Sequence, residues 1–261
     1  MNADCVVLVT SCDAYRDIDG PFIRLWRRFW PDCPFEVVLL TETAYDGVCG
    51  DARFDRVIAV GKGKTWSQTV VEALGQLDCP YVILQMNDFI PDKPVNTARM
   101  LELLEIAKRE NALSLRLIPK PFGGEPYAKY PGLRVYPKNR AYSASCQTGY
   151  WNREYLRSVA KRTKSAWEFE RYGSYMFDLA DPRPLLMTET QEFPCLDTVK
   201  KGYWMPFGVK LLMDEKIDYD FSVRGPQPPL VRVKEWIKKI VFNLNPEIVT
   251  RIQNVFNAGK H

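Results

Sequence analysis

The chain has 261 residues, 46% hydrophobic and 26% charged, which suits one globular domain or an α/β unit with an elaborated second half. That apolar mass excludes a disordered or fibrous protein, and a net charge of +4 is too mild for a dedicated nucleic-acid binder. The single histidine is the last residue, His261, which argues against Ser-His-Asp and Cys-His catalysis, His-ligated zinc and histidine phosphorelay. Proton transfer is thereby left to carboxylates.

Residues 6–10, Val-Val-Leu-Val-Thr, form a continuous β-branched run that reads as a buried parallel strand. Residues 21–30 place Phe22, Leu25, Trp26 and Phe29 at helical spacing. Strands are expected at 35–40 and 56–60, a helix over 65–77, and a further strand at 81–86. This alternation predicts a Rossmann-like, mostly parallel sheet flanked by helices. Past Asp88 the texture changes: a helix over 95–109, a strand at 112–118, then a Pro- and Gly-rich loop over 119–137. A strand at 142–150 and a helix at 152–160 follow. The expected organisation is one domain over 1–224, divided near residue 90 into a nucleotide-binding half (about 1–90) and an acceptor half (about 91–224). Residues 225–261 then read as a linker and a helical arm.

Seven cysteines, an odd number without a Cys-x-x-Cys pair, read as reduced thiols packing as small hydrophobes, and a zinc site made of them is not expected. The first residues lack a basic stretch and a long apolar run, so no leader is expected, and no segment is apolar enough to span a bilayer. A cytoplasmic location follows from these readings.

In parallel α/β sheets, ligands sit beyond the carboxyl ends of the strands. Thr10-Ser11-Cys12-Asp13, Gly61-Lys62-Gly63-Lys64-Thr65-Trp66-Ser67 and Gln85-Met86-Asn87-Asp88-Phe89 all fall there. The Gly-Lys-Gly-Lys run lacks P-loop spacing; it reads as a solvated turn or as a source of amides and ammonium groups for a diphosphate. Asp88 suits an oxygen ligand for a divalent cation, or a helix cap. Trp167-Glu168-Phe169-Glu170-Arg171 offers two carboxylates beside aromatic rings that would raise a pKa by burying it, or an exposed turn with Glu–Arg pairing. If this segment is extended, Glu168 and Glu170 point the same way; if helical, they diverge by about 200°.

In the order of these clusters, continued by Ser145-Cys146-Gln147-Thr148-Gly149-Tyr150-Trp151 and Lys201-Gly202-Tyr203-Trp204, the sequence resembles bacterial inverting glycosyltransferases of the GT-A fold, found in capsule, lipopolysaccharide and other surface-polysaccharide loci. The resemblance covers about residues 5–215. It implies a GT-A-like fold that moves a sugar from a nucleotide-diphosphate donor to a glycan or lipid-linked acceptor. Thr10, Ser11, Asp13, Trp66, Ser67, Asn87 and Asp88 would cradle the donor, with Asp88 holding Mn2+ or Mg2+. Glu170, with Glu168 as second choice, would deprotonate the acceptor hydroxyl. The chain departs from the pattern at Asn87, where relatives often carry a second Asp, and an amide ligates a cation more weakly. That departure favours one rival, a non-catalytic nucleotide-sugar or glycan binder with a degenerate GT-A fold. A nucleotidyltransferase is a weaker rival, since no Gly-rich signature follows the first strand.

Beyond the Gly225-Pro226-Gln227-Pro228-Pro229 stretch, Val233, Trp236, Ile237, Ile240, Val241 and Leu244 recur at helical spacing, with lysines mostly opposite. A second short helix opens at Pro246. Residues 231–256 read either as helices docked on the domain or as an amphipathic arm resting on an anionic membrane, where a lipid-linked acceptor would lie.

Overall fold

The computed structural model describes residues 2–119, 124–140, 142–229 and 231. The first half runs β1 (Cys5–Thr10), α1 (Arg16–Phe29), β2 (Glu36–Thr41), a small hairpin of β3 (Val48–Cys49) and β4 (Ala52–Arg53), β5 (Arg56–Ala59), α2 (Trp66–Leu74) and β6 (Tyr81–Met86). The second runs β7 (Phe89–Pro91), α3 (Thr97–Arg109), β8 (Ser114–Arg116), β9 (Glu125–Pro126), β10 (Leu133–Tyr136), β11 (Gly149–Asn152), α4 (Arg153–Ala160) and α5 (Ala166–Arg171). It closes with β12 (Leu185–Thr188), β13 (Cys195–Asp197), β14 (Val199–Lys200), β15 (Tyr203–Trp204) and α6 (Pro206–Asp214).

Nine strands form one sheet in the order β5-β2-β1-β6-β11-β8-β12-β10-β9. The β5, β2, β1 and β6 strands are mutually parallel, and β11 joins β6 antiparallel. Every residue of β1 is buried. Because side chains alternate across a strand, Val7 and Val9 enter one core, with Phe22 and Trp26 of α1 and Leu103 of α3. Val6 and Leu8 enter the other, with Val70 and Leu74 of α2 and Leu156 of α4. The sheet is therefore the middle of a helix–sheet–helix sandwich, and its continuous apolar strands are what double burial requires.

Three elements differ from the sequence reading. The first helix begins at Arg16, five residues before Pro21, with Asp17 and Asp19 in its first turn; Pro21 sits inside it and lacks only the amide proton that would bond the Asp17 carbonyl. The strand expected at 142–150 is confined to Gly149–Asn152. Upstream, side chains occupy the backbone groups a ladder would need: Ser174 Oγ accepts from Ala144 N (3.0 Å), and Glu170 Oε1 accepts from Cys146 N (2.9 Å). The loop region carries β9 and β10, and β10 pairs antiparallel with β12, a strand not anticipated.

Gly225 and Gln227 run beside β15. Trp204 N donates to Gly225 O (3.1 Å), and Gln227 N donates to Trp204 O (2.8 Å). The first residues of the expected linker are thus tied to the sheet-edge segment. Apart from Val231, the expected arm over 231–256 lies outside the described residues. All seven thiols are free. No helix among the described residues is long and apolar enough to cross a membrane.

Phe169 of α5 is fully buried, with ring centroids 5.4 Å from Trp66 and 5.5 Å from Trp151. It joins α5 to both α2 and β11. Phe169→Ala is expected to cost about 3–5 kcal/mol, as large aromatic truncations in cores do, measured by chemical denaturation.

Candidate functional site

The Asn87 side chain joins the carboxyl end of β6 to the loop after β1 and to α1. Asn87 is 3% exposed, and its Nδ2 lies 3.0 Å from Ser11 Oγ, 3.1 Å from Tyr15 O and 2.9 Å from Asp19 Oδ1. An amide fits here because its NH2 meets a carboxylate and a carbonyl. An aspartate would set a second negative charge against Asp19. Thr10, also buried, donates to Gln85 O (3.3 Å), so the two strand ends are laced together at two levels.

Asp19 is a polar residue on the buried face of α1, 1% exposed. Burial pushes its carboxyl up to about 6, against the pull of hydrogen bonds from Asn87, Ser11 and Tyr45. Asp13 behaves oppositely. The Thr43 hydroxyl, then Lys62, hold it down at about 2. Thr43 Oγ1 donates to it at 2.6 Å, and Lys62 Nζ lies 3.0 Å away. Asp13 therefore ties the β1 loop to the β2 loop and to the Gly61–Lys62 turn. In that turn Gly61 and Gly63 have φ of +82° and +79°, which side chains disfavour. Lys64 pairs with Glu72 (2.5 Å), so both ammonium groups of the run already have carboxylate partners.

Asp88 follows Asn87 in the turn between β6 and β7. Its backbone carbonyl accepts from Thr198 N and Thr198 Oγ1, both at 2.8 Å. Its side-chain Oδ1 is buried with no hydrogen-bond partner. Burial, then the charge of Asp197, push the Asp88 carboxyl up to about 7. Asp197 is itself raised by burial, with Lys200 pulling the other way. Among the described residues no three acids or thiols converge as a metal cluster.

Trp66 and Ser67 open α2, which Thr65 starts with a reciprocal cap to Gln68. They face the 163–169 segment rather than the β1 loop. Ser67 Oγ is 2.9 Å from Thr163 Oγ1, its amide donates to Lys164 O (3.2 Å), and the Trp66 ring meets Phe169. The 166–171 segment is helical, so Glu168 and Glu170 diverge. Glu168 Oε2 accepts from Lys164 N (2.8 Å), and Glu168 N donates to Ser165 Oγ (3.2 Å), a helix-start arrangement. Glu170 turns inward: Oε1 accepts from Ser145 Oγ (3.2 Å) and Cys146 N (2.9 Å), while Oε2 has no hydrogen bond among the described residues. Trp167 is 72% exposed and gives Glu170 no cover. The Cys146 thiol is raised by burial and raised further by the charges of Glu170 and then Asp88.

Arg116 was not singled out by sequence. It is 6% exposed, donates to Tyr142 O (3.0 Å) and Gln147 Oε1 (2.6 Å), and forms no ion pair among the described residues. A lone arginine inside the apolar run 112–118 was the available signal. Arg224 closes the far rim: it bridges Asp17 at 2.9 Å and stacks 4.3 Å from the Tyr15 ring centroid. Burial opposes ionisation of Asp17, but Arg224 and Tyr219 outweigh it and lower its pKa.

No family model matches the sequence, and no curated protein matches it. Among solved structures, the fold is similar to Staphylococcus aureus TarS 1–349, with TM-score 0.43 and 13% identity over 71% of this chain and 60% of that one. This chain thus spans less than two thirds of that TarS fragment. A cytidylyltransferase from Leptospira borgpetersenii is similar with TM-score 0.43 and 12% identity, over 87% of this chain and 99% of that one. A CMP:2-keto-3-deoxy-manno-octonic acid synthetase complexed with CTP is similar with TM-score 0.41 and 13% identity, over 63% and 80%.

Two expectations test the Asn87 node. Asn87→Asp places a carboxylate against Asp19 and the Tyr15 carbonyl, and is expected to cost about 2–4 kcal/mol at pH 8 and less at pH 5, where a shared proton relieves the pair. Denaturation midpoints at the two pH values measure it. Asp19 has a raised folded pKa, so its contribution to stability is fully present below the unfolded value of 3.8 and is lost as pH rises through about 6. Asp19→Asn should remove that loss. The variant should gain on the order of 1–3 kcal/mol on wild type between pH 4 and pH 7.5, read from urea titrations.

Proposed function

We propose that this chain is a transferase that takes a sugar from a nucleotide-diphosphate donor and passes it to a glycan or lipid-linked acceptor with inversion. The observation that carries the reading is a pair of acids: Asp88, in the turn after β6, whose buried Oδ1 has no hydrogen-bond partner, and Glu170, from the second half, whose Oε1 is held by Ser145 and Cys146. One acid lies at the strand ends where a nucleotide would bind; the other is presented from the opposite part of the chain, where an acceptor would approach.

The Thr10, Ser11 and Asp13 loop, with Asn87 fixing its position, would hold the nucleotide side. A divalent cation fits Asp88, whose buried Oδ1 has no partner, and hard cations take carboxylate oxygen. Such a cation supplies neutralisation of the charge on the departing diphosphate. Glu170 Oε2 would take the acceptor hydroxyl's proton while that oxygen bonds to the anomeric carbon and the bond to the diphosphate breaks. Ser145 and Cys146 hold Oε1 and so aim Oε2. Glu168 serves the start of α5, so we take Glu170 as the base, while the contacts of Trp66 and Ser67 with the 163–169 segment suit them to back α5 as well as to face a donor. Asn87 no longer favours a non-catalytic binder, because its amide is explained by its partners. Membrane contact through residues 231–256 and a cytoplasmic setting remain part of this proposal.

A screen of UDP-, GDP- and CMP-sugars with and without Mn2+ should raise the melting temperature for one donor; at 100 times its Kd, a ligand adds about 2.7 kcal/mol. With that donor, Glu170→Gln should lower turnover roughly 10²–10⁴-fold and leave donor binding intact. Near-normal turnover in Glu170→Gln would remove the base and the mechanism with it.

A further inference from the structure

The geometry points to a phosphate-binding site in the groove between α2 and α4, where Arg157 and Lys161 grip an oxyanion. The site is separate from the acids of the proposed transfer reaction and does not depend on that reading.

The groove encloses a cavity of about 560 Å³ between the two helices. That is far more than a bare ion needs and falls within the range of small-molecule sites. Three cationic side chains line it: Lys64, Arg157 and Lys161. One is already neutralised, since Lys64 Nζ lies 2.5 Å from Glu72 Oε2. The other two are not. The acid one turn before Arg157, Glu154, is bound to Arg153 at 3.0 Å. Among the described residues, neither Arg157 nor Lys161 has an ion pair or a side-chain hydrogen bond, and Arg157 Nε is buried with no partner.

The two cations stand one turn apart, with the Lys161 amide donating to the Arg157 carbonyl. Like charges at that spacing repel. The Arg157 guanidinium lies over Gly75 at the end of α2, its Nη2 3.6 Å from where a Cβ would sit. The carbonyl end of a helix attracts a cation there, yet the guanidinium makes no hydrogen bond to it. A planar fork of donors and a neighbouring ammonium are therefore held beside one cavity with no acceptor supplied by the described chain.

Two positive charges match a phosphate monoester, which carries close to two negative charges at neutral pH. A further donor is at hand. Gln68 Oε1 is occupied by the Thr65 amide at 2.8 Å, which leaves its NH2 for a ligand. Val71 and Ala160 give the groove an apolar wall for the organic part of the ester. The Ser67 and Thr163 hydroxyls, also in the wall, are bonded to each other at 2.9 Å and are not assigned to the ligand. The phosphate could belong to a soluble ester or to a lipid headgroup, and the chemistry recognised is the same.

The test titrates inorganic phosphate into the isotope-labelled full chain, followed by amide resonances, with sodium chloride of matched ionic strength as the counterpart. The amides of Gly75, Gln76, Arg157 and Lys161 should move and saturate with phosphate only. Arg157→Met and Lys161→Met keep the apolar stems and should each weaken binding roughly tenfold, the worth of a charge-assisted hydrogen bond, with unchanged melting temperatures. Glu72→Gln removes the one carboxylate in the wall and should tighten phosphate roughly threefold. Shifts that fail to saturate, that chloride reproduces, or that survive in the double variant would overturn the site, as would weaker binding by Glu72→Gln. Sedimentation with phosphatidylcholine vesicles, with and without phosphatidic acid, separates the two sources. Pelleting that needs phosphatidic acid and is lost in the double variant assigns the headgroup; saturable phosphate binding without such pelleting assigns a soluble ester. Absence of both overturns the inference, whatever the fate of the transferase reading.

Discussion

A strand buried on both faces constrains everything around it. The β1 strand has no exposed residue, and its alternate side chains feed two separate cores. Polar groups can meet solvent only at its ends. At the carboxyl end the chain must turn, and it does so with Ser11, Cys12 and Asp13, laced to Asn87 and Thr43. The candidate site is thus where the sandwich permits one, just beyond the strand that contributes to both cores.

The second half solves a different problem, which is how to hold a carboxylate steadily without burying it in aromatic rings. Phe169 anchors α5 by packing between Trp66 and Trp151. Glu170, next in the chain, then meets the 144–146 segment, where backbone and hydroxyl donors fix one oxygen. Trp167 lies on the solvent side of the same helix. The positioning comes from hydrogen bonds, with apolar burial confined to the residue beside the acid.

The parallel strands and their helices were legible because double burial writes long apolar runs, as in residues 6–10 and 81–86, and because helix faces repeat. Asp88 and Glu170 stood out as candidates because one is a polar residue after such a run and the other lies within an aromatic cluster. The place of Asp197 opposite Phe89 did not, since it depends on a three-residue ladder between segments over a hundred positions apart. Asp19 was hidden for the reverse reason: a carboxylate on the apolar face of a helix looks like an interruption until Asn87 and Tyr45 are seen to meet it. The irregular 142–148 stretch reads as a strand by composition, and only the competing side-chain bonds of Ser143, Ser174 and Glu170 show why it is not one.

The bridge between Asp17 and Arg224 joins positions separated by 207 residues, with both side chains mostly covered, at 15% and 10% exposure. It bears on the order of assembly. Local helices and the β1–β2 pairing form among near neighbours, but this closure requires almost the whole chain to have left the ribosome. Until then Asp17 remains a solvated charge at the start of α1, and the rim above Tyr15 stays open. Contacts of such long sequence separation carry the heaviest loop-closure entropy and slow folding. Closing the edge of the site therefore carries a larger loop-closure entropy than pairing β1 with β2.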